Sequence, residues 1–207
     1  MNKKTIITSL VTVASTALWS VSLQAEDFNF EDPKGVNNVS FSMDAPLEFI
    51  SGSANGISGI VTFDADHPKK TSGTITLNTS TLMVSNSMMK DHMHGKNWMD
   101  VENHPTIEFS TDGLSGVEET SKGYTATAAG TLTIKGVSKE VELPVTLTYL
   151  PGKLGARSNG RMQGDLLVIR STFTVLRSDY GINPKAPEDK VSNQIELKLS
   201  IAGYAAK

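Results

Sequence analysis

Tyr124–Tyr149, YTATAAGTLTIKGVSKEVELPVTLTY, is the stretch whose reading decides the fold class. Apolar and small polar residues alternate from Tyr124 to Ile134, and again through Val141, Leu143, Val145, Leu147 and Tyr149. Successive side chains of a strand point to opposite faces, so this period of two gives two strands with one buried face each. Lys135-Gly136 between them is a turn signal.

The same pattern recurs outward in both directions. Val39, Phe41 and Met43 share a face, as do Ile57, Val61 and Phe63. Thr74–Leu77 and Thr106–Phe109 alternate apolar residues with polar ones, Met162–Leu176 forms a long run, and Ile195, Leu197, Leu199 and Ile201 form the last. His67-Pro68-Lys69-Lys70, Asp112-Gly113, Pro151-Gly152 and glycines 155, 160 and 164 supply turn signals between the runs. Many short alternating strands make an antiparallel sandwich or barrel. Aromatics are only 6% of the chain, so either a filled interior or a slender lumen fits this pattern.

Lys3 and Lys4 precede an uncharged run from Ile6 to Leu23, and Glu26-Asp27 follows Ala25. This order predicts an export signal over residues 1–25 and a single domain over 26–207, with cleavage after Ala25 or, alternatively, after Ser22. Seven Ser and Thr residues within it, and Thr5 just before it, dilute the run too far for a stable membrane span. Residues 1–25 carry two lysines and no acid, so cleavage takes the formal charge from −3 to −5. That sign and the scattered basic residues argue against nucleic acid as a partner. An exported chain with no cysteine has no disulfides and depends on its core or on sheet closure.

Met88–Phe109, MMKDHMHGKNWMDVENHPTIEF, concentrates the unusual chemistry: three of the four histidines, four of the eight methionines and one of the two tryptophans. Asp91 and Asp100 bracket a segment that predicts one or two helical turns across the end of the sheet. The segment reads either as an apolar lid over a cavity or as a histidine metal site.

Three stretches resemble the YceI-like family in order: Asp91-His92-Met93 with Trp98-Met99-Asp100 and His104–Phe109; Gly130–Val145; and Phe173–Ile182. Met43-Asp44-Ala45-Pro46 stands where many relatives have an apolar residue and a histidine, and Met99 replaces one of two aromatics. The resemblance implies an all-β, lipocalin-like antiparallel barrel of about eight strands with a short helix near its mouth. It further implies a periplasmic binding protein for a polyisoprenoid, isoprenoid quinone or similar long-chain lipid, with no cofactor and no stable membrane insertion. A homodimer is compatible with such a barrel.

The candidate lumen and mouth residues are Phe41, Phe63, Met88, Met89, Met93, Trp98, Met99, Ile107, Phe109, Phe173 and Arg177. Strands of about ten residues span about 33 Å, and twenty buried carbons offer on the order of 16 kcal/mol before ordering costs are counted. Arg177 and Asp179 lie two apart beyond an apolar strand, so they can pair with each other or bind the turn that Gly181 permits. Alternatively, Arg177 meets a ligand's head group.

Two other readings remain: a metal site of His92, His94 and His104, and a ligand-free structural or adaptor domain. A zinc site needs three or four ligands, yet no HExxH-like spacing is present, which favours structural histidines. His67 reads as a solvated turn residue. There is no cysteine nucleophile, no Gly-x-Ser-x-Gly elbow and no phosphate loop, so no enzyme is expected. Glu118-Glu119 and Glu188-Asp189 read as solvated loop acids.

Overall fold

In a computed structural model the alternating runs form strands that close on themselves. The structure describes residues 25–207, so the expected export signal lies outside the described residues except for Ala25.

Eleven strands build eight staves of one antiparallel barrel. The first three staves are each broken in two. β1 (Glu26–Asn29) and β2 (Asn38–Asp44) run in the same direction along one neighbour; β3 (Phe49–Ala54) leads into β4 (Ile57–Phe63); β5 (Ser72–Asn78) leads through a 3₁₀ turn into β6 (Met83–Val84). The other five are continuous: β7 (Thr106–Thr120), β8 (Gly123–Ile134), β9 (Val137–Leu150), β10 (Gly164–Leu176) and β11 (Gln194–Ala206). Each stave pairs with the next, and β11 returns to the first, through Glu196–Ser200 to β2 and through Tyr204 to Asn29 of β1.

At the break between β1 and β2 there is no backbone to pair with Ala202. The buried side-chain amide of Asn37 takes its place: Nδ2 donates to Ala202 O (3.1 Å) and Phe30 O (3.0 Å), while Oδ1 accepts from Ala202 N (2.9 Å). Phe30 packs on Gly203, where a Cβ would lie 2.6 Å from its ring. Asp32 winds the intervening loop by accepting from the N–H groups of Lys34, Val36 and Asn37 and pairing with Arg157 at 3.2 Å. Burial pushes the Asp32 carboxyl up, but these donors outweigh it and leave its pKa below the usual range.

Helix α1 (Ser87–His94) crosses one end of the barrel. Asn86 Oδ1 caps it by accepting from Met89 N, and Gly95 N donates to His92 O at its end. The helix therefore begins earlier than the Asp91–Asp100 bracket. Residues 95–101 fold back onto it through Met99 N to Met93 O and Val101 N to His94 O. A one-turn α2 (Leu154–Arg157) lies between β9 and β10.

Two expected turns or loops are strand instead. Asp112-Gly113 is a bulge inside β7, held by the Thr111 hydroxyl donating to Gly113 O and Ala129 O, and Glu118-Glu119 pairs with Thr125 and Tyr124 of β8. β1 and β3 were not expected, because EDFN and FISGSA are too short or too rich in Ser and Gly to show a period of two.

Replacing Asn37 by Ala strands the Ala202 N–H and its carbonyl in a dry environment. The expected loss is about 2–3 kcal/mol, read as a lower urea midpoint at unchanged slope. A loss below about 0.5 kcal/mol would mean that closure does not depend on this amide.

Candidate functional site

Inward-facing residues of the staves leave an apolar lumen of about 160 Å³, walled by residues such as Val39, Ile75, Phe109, Leu132, Leu147, Phe173 and Ile201. Only Thr71, Thr111 and Ser171 bring hydroxyls to its wall, and each donates to a backbone carbonyl, of Pro68, of Gly113 and Ala129, and of Pro144. The wall therefore offers no spare side-chain donor.

Towards α1 the lumen adjoins an inner chamber of about 90 Å³, the two sharing Ile107, Ile134 and Leu197. Phe41, Met43, Met93 and Trp98 then separate that chamber from a vestibule of about 170 Å³, which also contacts Met89, His92 and Glu48. Three volumes thus lie in series from the lumen to α1, each divided from the next by side chains that line both.

The opposite end is plugged. Phe28, Phe63, Tyr124 and Tyr149 pack with ring centroids 5.7–6.3 Å apart. Behind them the buried Asp165 carboxylate accepts from Tyr149 Oη (2.5 Å), Lys207 Nζ (2.7 Å) and Gly152 N (2.8 Å). Burial pushes the Asp165 carboxyl up, but the Lys207, Tyr149 and Gly152 donors dominate and hold it at about 2. Burial and the same carboxylate push the Tyr149 phenol well above its ordinary value.

Arg177 is 1% exposed and lines the inner chamber. Its guanidinium donates to the carbonyls of Ile182 (2.8 Å), Asn183, Val191 and Ser192 and lies 5.8 Å over the Trp98 ring. It fastens the loop after β10 rather than pairing with Asp179, which meets Lys139 at 3.6 Å. A 3₁₀ turn explains this: Arg177–Tyr180 is not extended, so residues two apart diverge. Gly181, at φ +63°, ends that turn.

Of the candidate residues, Phe41, Met93, Trp98, Met99, Ile107 and Arg177 meet at the inner chamber. Ile107, Phe109 and Phe173 line the lumen, and Met89 lines the vestibule. Phe63 sits in the aromatic plug at the far end, and Met88, 68% exposed, lies on the outer side of α1. Met43, Leu82, Ile182 and Ile195 also line the inner chamber but were not among the candidates. The period of two contained Met43 and Ile195, whereas Leu82 and Ile182 lie in irregular segments with no such signal.

The three histidines of the metal reading do not converge. His94 Nε2 bonds Leu82 O at 2.8 Å, His104 packs against Gly136, and His92 faces the vestibule. Among the described residues no group of three His, Cys, Asp or Glu side chains is placed to hold a metal ion. His67 bonds Asp64 in an exposed turn.

The YceI-like domain model matches residues 19–202. The chain belongs to the YceI-like family. It is 27% identical over 159 residues to a UPF0312 protein of Yersinia enterocolitica, covering 77% of this chain and 76% of the relative. It is 27% identical over 155 residues to a UPF0312 protein of Pseudomonas paraeruginosa, covering 75% and 74%. The fold resembles Burkholderia cenocepacia BcnA with a TM-score of 0.66 at 19% identity, over 80% of this chain and 95% of that one. It also resembles the Campylobacter jejuni YceI protein with a TM-score of 0.60 at 16% identity, over the whole of both chains. YceI-like proteins are a binding-protein family, periplasmic in bacteria. No helix among the described residues is long and apolar enough to cross a membrane.

The depressed pKa of Asp165 makes the plug acid-sensitive. Its contribution is complete above the unfolded value of 3.8 and is lost as pH falls towards about 2. The stability gap between wild type and Asp165→Asn is expected to be about 2 kcal/mol at pH 6 and to close in that window. A gap that stays constant from pH 6 to pH 2 in urea titrations would contradict this.

Proposed function

We propose that this YceI-like barrel binds one long-chain apolar amphiphile, a polyisoprenoid, isoprenoid quinone or similar lipid, after export to the periplasm. The chain lies in the lumen and the polar end at the α1 mouth. The observation that carries this reading is the row of apolar volumes: a lumen without spare donors, closed at the aromatic plug and followed towards α1 by two further spaces. An apolar tail gains by leaving water and leaves no wall donor unpaired, because every lumen hydroxyl is already satisfied.

Volume sets the length. The lumen matches the roughly 150 Å³ cavity that accepts one benzene ring, so a chain of about twenty carbons needs the inner chamber and vestibule as well. Met43, Met89, Met93 and Met99 surround that route, and their unbranched thioethers repack around an occupant more readily than branched side chains do.

Native mass spectrometry of protein purified from its own cells tests the reading. A single lipid-mass adduct is expected; consistently bare protein would favour a ligand-free structural domain. Trp98, which lines both the inner chamber and the vestibule, is the residue to change. Trp98→Ala is expected to cost about 3 kcal/mol or less while reducing the lipid retained per folded molecule. A large fall in melting temperature with unchanged lipid content would place Trp98 in the core packing and not at the lid.

A further inference from the structure

The vestibule has a property that lipid binding does not use. Met89, His92 and Met93 stand at positions i, i+3 and i+4 of α1, so their side chains share one helical face, and all three line the vestibule. Met43 of β2 lines the same small volume. The His92 ring makes no hydrogen bond among the described residues, unlike those of His67 and His94. Glu48, on the turn between β2 and β3, adds a carboxylate to the same wall.

Three thioethers and one unengaged imidazole form a soft donor set. Thioether sulfur selects Cu(I) over harder divalent ions, and Cu(I) accepts three or four such donors. We propose that Met43, Met89, His92 and Met93 bind one soft monovalent metal ion, of the Cu(I) class, in the vestibule beside α1. Methionine's three rotatable bonds let its sulfur swing towards an ion from a position that otherwise lines an apolar passage. The set differs from the three histidines considered first: of those only His92 belongs to it, and its other ligands carry no charge and no proton. The Glu48 carboxylate offsets the ion's charge.

Ag(I), which has the same preference without redox chemistry, is the probe. Purified protein is titrated with Ag(I) and separately with Zn(II), reading stoichiometry by native mass spectrometry and occupancy by Trp98 fluorescence, since that indole lines the same vestibule. One Ag(I) and no Zn(II) per chain is expected. The double substitution Met89→Leu with Met93→Leu preserves volume and apolarity, so it should weaken Ag(I) at least tenfold while leaving the melting temperature unchanged. His92→Gln should weaken it too. Failure of the wild type to bind Ag(I), or equal binding by the Leu double variant, would overturn the proposal, and neither result bears on lipid retention.

Discussion

The barrel closes across a broken seam, part strand ladder and part side-chain amide. Where the first stave breaks, Asn37 supplies the donor and acceptor that a strand would have offered Ala202, so the hydrogen-bond circuit continues across the gap. An open sheet of this length would expose two unpaired edges. The closed one instead creates an interior, and every feature of that interior presupposes the closure. The break also has a use: residues 30–37 bring Phe30 onto Gly203 and Asp32 onto Arg157, tying the loop to α2.

β8, β9, β10 and β11 were legible because their apolar runs are long, as in Leu143, Val145 and Leu147, whereas only Thr106–Phe109 of β7 was. The interrupted staves were half-visible: β2 and β4 carry apolar alternation, while β1 and β3 are short or small-residue segments ordered by their neighbours. Asp112-Gly113 misled because a bulge and a turn use the same residues, and only the register of β7 against β8 separates them. Barrel and sandwich were equally compatible with composition, and the choice of a barrel came from family resemblance.

The site was legible to the extent that it lies on alternating strands or in the Met88–Phe109 stretch. Phe41, Ile107, Phe109 and Phe173 fall on the lumen-facing side of their strands, and Trp98 meets Arg177 across the inner chamber. Phe63 could not be separated from them in advance, since it follows the same alternation and differs only in height along the barrel. Met88 and Met89 are adjacent and chemically identical, yet the phase of α1, set by the Asn86 cap, turns one to solvent and the other to the vestibule.

The two ends of the tube are built from opposite materials. One is rigid aromatic packing anchored by a buried carboxylate, and the other is thioether carbon and sulfur under a two-turn helix. With the proposed lipid inside, a vessel of this kind would have no through-traffic: the occupant would leave by the route it came, last segment in and first segment out. Its residence time would then be governed by the depth of insertion, each added carbon in the lumen lengthening the stay by a roughly constant factor of about four. Exchange between two molecules could not then proceed by displacement from behind, so a hand-over of that lipid would take place face to face at the helix end.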